Sequence, residues 1–477
     1  MNFRVFKNLS LLAVVILFLN ASSLSAQTFT VLHTFGASSG ITNLDGVYPR
    51  GDLVLAGGTL YGTAYSGGPN GYGTVFSVGT NGGSFSLLYS FTAGADGAFP
   101  LRHLVLGGNT LYGTAGRGNI GGYGSIFSVG TNGGFATVYS FSGGSDGSYP
   151  GPGLLLRGNT LYGSANQGGA NGCGTVFSVN TNGSNFALLH TFGGSPDGKN
   201  PFGGLVLSGS MLYSTAQNGG LNSNSGFGTL FSIDVDAMAF TLLHAFSGHT
   251  NTDGQSPQGG LVLSSNTLYG TTFDGGSNSY GTVYSFSTGT SNYAVLRSFS
   301  NGPDGAYLEA GLAVAGNTLY GATLRDGASA YSGTLFSLNT DGSSFTLLHA
   351  FSAAIPDYGY TNWDGAMPYG ELTVLGNVLY GAAQMGGANG SGTVFSLAIE
   401  PAITNLSLAG TNAVLNGINS IAGHTYTVLT STNLALPLNQ WTPVATNLLN
   451  SGGDFSITAT NAVNSPDLQQ YYILRTQ

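Results

Sequence analysis

Apolar runs of three to six residues recur from residue 28 to residue 399 in a fixed order, each closed off by Gly, Asn or Ser. Leu53-Val-Leu55 comes first. Thr59-Leu-Tyr-Gly-Thr63, Gly73-Thr-Val-Phe-Ser-Val78 and Ser86-Leu-Leu-Tyr-Ser-Phe91 follow it. No segment keeps a 3.6-residue period, so short strands are expected throughout. The second and third runs are apolar on both faces, which predicts sheets packed between other sheets. The connecting Gly-Asn, Gly-Gly and Asn-Gly pairs supply the positive φ that tight hairpins require.

The pattern is a tandem repeat. The Leu-Tyr-Gly element, or a close variant, has its Tyr at Tyr61, Tyr112, Tyr162, Tyr213, Tyr269, Tyr320 and Tyr380, at spacings of 51, 50, 51, 56, 51 and 60 residues. The Gly-Thr-Val-Phe element begins at Gly73, Gly124, Gly174, Gly228, Gly281, Gly333 and Gly392. Four antiparallel strands per unit of about 40–50 residues, repeated radially, predict a β-propeller with one blade per copy. We label the strands A (Leu-Val-Leu), B (Leu-Tyr-Gly), C (Gly-Thr-Val-Phe) and D (Leu-Leu-His-x-Phe). The chain opens on a D-type run, Thr30 to Phe35, and the repeat region ends on a C-type run, Gly392 to Leu397. These orphan ends complement each other, so the first strand is expected to complete the last blade and close the ring. A linear solenoid would need polar caps instead.

The expected fold is therefore all-β: a seven-bladed propeller over 27–399, then a small fibronectin- or immunoglobulin-like β-sandwich over 400–477. The second unit rests on Ala413 to Leu415, Thr425 to Thr430, Trp441 to Ala445, Phe455 to Thr458 and Tyr471 to Leu474. Residues 1–26 read as a secretory signal peptide. Arg4 and Lys7 are its basic start, Leu11 to Leu19 its apolar middle and Ser23-Leu-Ser-Ala26 its small-residue exit. No later stretch approaches the roughly 18 apolar residues of a membrane span. A secreted or surface-held monomer is expected.

Composition sharpens this picture. Charged residues are 6% of the chain, against about 25% in ordinary domains. Net charge is −9 and the ten basic residues are scattered, so nucleic-acid binding lacks its electrostatic footprint. The single cysteine, Cys173, excludes a disulfide framework. It replaces an aromatic in its repeat and reads as a small buried residue.

The unit Gly-Asn-Thr-Leu-Tyr-Gly-Thr, Gly-Gly, Gly-Thr-Val-Phe-Ser-Val, Leu-Leu-His-Thr-Phe, Asp-Gly resembles the extracellular tandem repeat called GloVer, known from exported bacterial "choice-of-anchor" proteins. The resemblance spans about residues 28–399. It implies export and a repeated β fold, and no established activity. Kelch propellers are more loosely similar, through the Leu-Tyr-x-Gly strand and the Gly-Gly doublet.

Three sets of residues are candidates for chemistry. Asp45, Asp96, Asp146, Asp197, Asp253, Asp304 and Asp364 each precede a Gly in the D-to-A loop. They read as turn residues that accept backbone N–H bonds, with calcium the alternative ligand for such an oxygen ring. His33, His190, His244 and His349 share one strand-D position, which Tyr89, Tyr139 and Arg297 take in other blades. Strand D is outermost, so these residues cannot converge on one metal ion. His103, His249 and His424 match nothing. The third set is aromatic: Tyr48, Phe99, Tyr149 and Tyr307 beside Asp-Gly, and Tyr72, Tyr123, Phe227 and Tyr280 before Gly-Thr-Val-Phe. These could stack on a sugar or grip a peptide, or simply pack blade on blade.

No nucleophile elbow, zinc-protease motif or P-loop is present. Only three Glu exist, Glu309, Glu371 and Glu400. The expected function is a non-catalytic binding or scaffold module for a carbohydrate or protein, with no cofactor and no catalytic residue assigned. The alternative is a polysaccharide-active enzyme with acidic residues on the channel face. Such an enzyme should break the repeat's symmetry, and residues 218–228, 247–257 and 352–364 depart furthest in length.

Overall fold

The computed structural model describes residues 3–6, 27–118, 121–220, 226–248, 253–325, 332–354, 360–399, 402–409, 412–420, 424–431, 436, 438–449, 453–460 and 469–476. Seven antiparallel sheets, one per repeat, form the propeller. In the first blade, strand B (Thr59–Ser66) pairs with strand C (Thr74–Gly79), which pairs with strand D (Ser86–Ser90). Strand A is split into Val47–Pro49 and Val54–Ala56, and both pieces pair with strand B.

Ring closure follows the order of the elements. The N-terminal strand Thr28–Thr34 pairs with Thr393–Ala398, the third strand of the last blade. Adjacent blades share apolar clusters: Leu32, Phe35, Tyr380 and Val394 of the closing blade pack with Leu53, Leu60, Phe76 and Val78 of the first. The Gly of Leu-Tyr-Gly has a packing cause. A Cβ on Gly62 would lie 2.7 Å from Phe76 Cζ and 2.9 Å from Leu53 Cδ2, so the aromatic of strand C claims that space.

A polar latch joins each blade to the next. Each Asp-Gly aspartate accepts a hydrogen bond from the strand-D residue singled out above. The bonds are His33–Asp45 3.0 Å, Tyr89–Asp96 3.0 Å, Tyr139–Asp146 3.1 Å and His190–Asp197 2.9 Å. His244–Asp253 at 3.2 Å, Arg297–Asp304 at 3.0 Å and His349–Asp364 at 3.1 Å complete the ring. The same donor lies flat on an aromatic of the following blade. His33 stacks on Phe85 at 3.8 Å, Tyr89 on Phe135 at 4.0 Å and His190 on Phe240 at 4.0 Å. Arg297 keeps the geometry as a cation–π contact, 3.5 Å from the Phe345 centroid. His349 stacks on Phe29 at 4.1 Å, so the N-terminal strand closes the ring with the same contact. Sequence treats the aspartates and the strand-D donors as two unrelated sets. The fold makes each a partner of the other.

Ionisation reflects the latch. The Tyr89 and Tyr139 phenols are pushed up to about 12, by burial first and then by the carboxylates they face. Burial also raises the Asp253 carboxyl, but bonds from His244 and Ser247 outweigh it and hold the group below its usual range.

After residue 399 two small antiparallel sheets follow. Ala402–Ala409, Asn412–Ser420 and Gly453–Ala459 make one. His424–Ser431, Thr442–Leu449 and Gln469–Thr476 make the other, with Phe3–Phe6 added at its edge. The strand at Ala402–Ala409 is absent from the sequence expectation, because its Thr-Asn pair and lone Ser blur the alternation. Phe3–Phe6 lies in the stretch read as a leader; residues 7–26 lie outside the described ones.

Asp364 is fully buried and accepts from His349 and from the Ser352 amide. Asp364→Ala is expected to cost about 1–3 kcal/mol, since it strands both donors. Asp341→Ala, in an exposed turn of the same blade, should leave the urea midpoint nearly unchanged. Equal midpoints for the two variants would refute the role of the latch.

Candidate functional site

The aromatic candidates meet in pairs across blade junctions. Tyr48, Phe99, Tyr149 and Tyr307 all adopt positive φ, as do Asn200, Ser256 and Met367 at the same position. Their amides reach back to the residue before Gly-Thr-Val-Phe in the preceding blade. Phe99 N–H donates to Tyr72 O at 2.8 Å, Tyr149 to Tyr123 O at 2.8 Å, Ser256 to Phe227 O at 2.8 Å and Tyr307 to Tyr280 O at 3.0 Å. Rings meet edge to face for Tyr72–Phe99 at 6.2 Å and Tyr280–Tyr307 at 5.8 Å. Tyr48 and Tyr123 are the most exposed of the set, and Cys173 is buried at the equivalent site of its blade. These residues form a ring on the loop face and do not converge on one point.

Convergence occurs instead on the axis, at the break in strand A. Five blades have strand A in two pieces with four residues between them, and the fifth and sixth blades keep only the second piece. The residue before that piece is always Leu: Leu53, Leu104, Leu154, Leu205, Leu261, Leu312 and Leu372. The residue before this Leu is Asp52, His103 and Glu371 in three consecutive blades of the ring, and Gly153, Gly204, Gly260 and Gly311 in the other four. The axis therefore has one polar wall facing a wall of bare backbone. Two of the glycines make room for Glu371: Cβ atoms on Gly311 and Gly260 would lie 2.8 and 3.2 Å from its Oε2.

These residues line a cavity of about 270 Å³, together with Gln258 and with Leu154, Leu205, Val206, Leu261 and Val262. His103 Nδ1 and Asp52 Oδ2 are 2.9 Å apart, and Asp52 Oδ1 accepts the Glu371 amide. No hydrogen bond is found for the Gln258 side chain among the described residues. Glu371 lies deep but keeps part of its surface open to the cavity. Its carboxyl is held well above the usual glutamate range, by burial first and by the Asp52 charge second. The shift favours the neutral carboxyl, the form that can donate as well as accept.

A second polar layer closes the axis. Arg102 reaches across the ring and donates to Glu309 O at 3.1 Å and Glu309 Oε1 at 3.4 Å. The Tyr369 hydroxyl donates to the same Oε1 at 2.5 Å. Both partners of the pair are 9% exposed. Arg102 and Glu309 also line a second, 50 Å³ recess with Arg50, Tyr65, Phe202 and Tyr369, so they form the partition between the two spaces.

Neighbouring blades support this layer through hydroxyls on strand B. Thr63 donates to Leu101 O at 2.9 Å, Thr114 to Gly151 O at 3.0 Å, Ser164 to Pro201 O at 3.1 Å and Thr271 to Ala310 O at 2.9 Å. The sixth and seventh blades carry Ala322 and Ala382 there. Those two junctions lead into Tyr369–Glu371 and Arg50–Asp52.

The axial residues escape a search for long departures from the repeat. Of the three regions that depart furthest in length, 221–225, 249–252 and 355–359 lie outside the described residues, and His249 with them. The available signal is chemical: two of the three Glu in the chain fall in the same short window of the repeat, Glu309 between Leu308 and Leu312 and Glu371 between Pro368 and Leu372. Among the described residues no group of three or more His, Cys, Asp or Glu is placed to hold a metal ion. No described helix is long and apolar enough to cross a membrane.

The Gloeobacter/Verrucomicrobia repeat model matches residues 19–159, 108–252 and 222–434. The chain belongs to that repeat family. No curated protein matches it. Among solved structures, the extracellular domain of a one-component system from B. thetaiotaomicron is 10% identical. That match covers 82% of this chain and 46% of the other, with a TM-score of 0.49. The GH74 enzyme of Niastella koreensis is 16% identical over 82% of this chain and 60% of its own, with a TM-score of 0.47. A nidogen/laminin complex chain is 14% identical over 59% and 90%, with a TM-score of 0.39.

A raised carboxyl pKa favours the folded state below the ordinary glutamate range, and the advantage is lost as pH rises through the raised value. Thermal melting of wild type and Glu371→Gln from about pH 5 to 9 reads this. The wild-type melting temperature should fall relative to the variant with rising pH. Parallel curves would show that Glu371 is not protonated in the fold.

Proposed function

We propose that the protein is a secreted, non-catalytic binding module whose axial cavity takes a neutral, polyhydroxylated group, such as the terminal residue of a glycan. The observation that carries this reading is the one-sided axis: Asp52, His103 and Glu371 face four glycines across a cavity that also presents Gln258. Glu371 with its carboxyl pKa raised, an Asp52 already paired with His103, and a free amide offer mixed donors and acceptors. Hydroxyls suit such a wall better than a cation does. The Leu and Val side chains below them suit the apolar face of a sugar ring. The partition argues for a chain end rather than a threaded polymer. The leader-like residues 1–26 and the exported proteins that this repeat resembles support secretion. On this reading the two C-terminal sheets are the faces of one small sandwich that carries the propeller, and the protein is a monomer.

Glu371, its carboxyl raised by burial and by the neighbouring Asp52, also favours a second reading, hydrolysis of a terminal glycosidic bond. A carboxyl raised by burial next to a second carboxyl is an arrangement that acid–base chemistry on glycosides uses.

A glycan array followed by calorimetry tests the first reading. A neutral glycan should bind, and Asp52→Asn and Gln258→Ala should each weaken it about tenfold, the range of one lost hydrogen bond. Failure of every glycan to bind, or binding unaffected by both variants, would overturn it. Sugar release by wild type and not by Glu371→Gln would replace it with the second.

A further inference from the structure

Arg50 stands out on the far side of the partition. Its guanidinium lies 4.3 Å from the Tyr65 ring centroid and 5.1 Å from that of Tyr369. Its Nε is buried without a hydrogen-bond partner. No ion pair with Arg50 is found among the described residues. Arg102, 4.9 Å from the same Tyr369 ring, is satisfied by Glu309. The 50 Å³ recess between them thus holds two guanidinium groups and one carboxylate. A net positive charge lines this recess in a chain whose overall charge is −9.

Arg50 is half-buried, so its guanidinium is only partly solvated, and aromatic faces offset only part of the cost of leaving it without an anion. Arg is also the side chain whose planar fork matches a carboxylate in bidentate fashion. Two nearby acids are already engaged, Asp52 with His103 and the Glu371 amide, and Glu309 with Arg102 and Tyr369. An anion from outside would complete the set.

Size and surroundings narrow its chemistry. A recess of 50 Å³ admits a carboxylate and excludes a sugar ring. The ring must lie outside, on the loop face, where Tyr65 stacks on Phe99 at 5.1 Å and Phe99 meets Tyr72. We infer that Arg50 anchors the carboxylate of a sugar acid, a uronate residue of an acidic glycan, whose ring rests on this aromatic platform. The site is separate from the 270 Å³ cavity, because the Arg102–Glu309 pair lies between them. It stands even if that cavity binds nothing.

Calorimetry on the full chain with galacturonate and glucuronate oligosaccharides tests the inference. Their methyl esters serve as uncharged controls of the same shape. The acids should bind at least tenfold more tightly than the esters, and added salt should weaken them. Arg50→Gln should remove this preference. Arg50→Lys, which keeps the charge and loses the fork, should fall between. The melting temperature should stay close to wild type in both variants, which reports correct folding, and any neutral-glycan binding in the other cavity should not change, which separates the two sites. Equal binding of acid and ester, no uronate binding, or unchanged affinity in Arg50→Gln would overturn the proposal. So would Arg50-dependent binding of an acidic peptide without uronate binding.

Discussion

The aspartate–donor–aromatic latch is the contact on which the ring depends. Strand pairing builds a blade, and loop amide–carbonyl bonds and side chains join one blade to the next. The apolar clusters provide most of that adhesion, and they are nearly indifferent to direction. The latch is directional. A strand-D donor must reach its own Asp-Gly loop at about 3 Å and lie flat on an aromatic of the following blade. That fixes where each crossover loop leaves the rim. It also explains why His, Tyr and Arg exchange freely at one position. All three donate a hydrogen bond and present a flat face, and Leu does neither.

Ring closure gains its specificity from the same contact. Phe29 stacks on His349 and His33 donates to Asp45, so the N-terminal strand is held from both neighbours by what every other strand D uses. The strand could otherwise add to any exposed sheet edge, a common route to exchange between molecules. Two latches and a shared register leave one blade that fits.

Much of the fold is legible in the sequence because its causes are local and repeated. Gly62 is Gly because Phe76 occupies the space, and the motif recurs wherever that packing recurs. The complementary ends, Thr28–Thr34 and Thr393–Ala398, are visible as missing members of a series. The candidate site is hidden for the opposite reason. Asp52, His103, Gln258, Glu309 and Glu371 lie in different repeats, and nothing in one repeat marks them as neighbours. The axis alone brings them within reach. Tyr48, Phe99 and Tyr149 attract notice because they vary within a conspicuous loop. Their positive φ ties that position to a backbone duty it performs equally as Asn200, Ser256 or Met367. Variation there records tolerance, whereas variation in the strand-A break sets the chemistry of the axis.

The partition turns that chemistry into two sites of opposite character. A buried ion pair such as Arg102–Glu309 adds little stability over an apolar pair of the same volume, so stability alone does not account for it. Its position does more. By spanning the ring it separates Asp52 and Glu371 from Arg50, acids and a base that would otherwise neutralise each other across an open channel. On one side burial and Asp52 raise the Glu371 carboxyl. On the other a guanidinium is left without an acid. Removing the strut would let water and the opposing charges meet, and both environments would relax to ordinary surface. The seven-fold scaffold supplies the walls, and a single asymmetric crossing makes the two halves of the axis different.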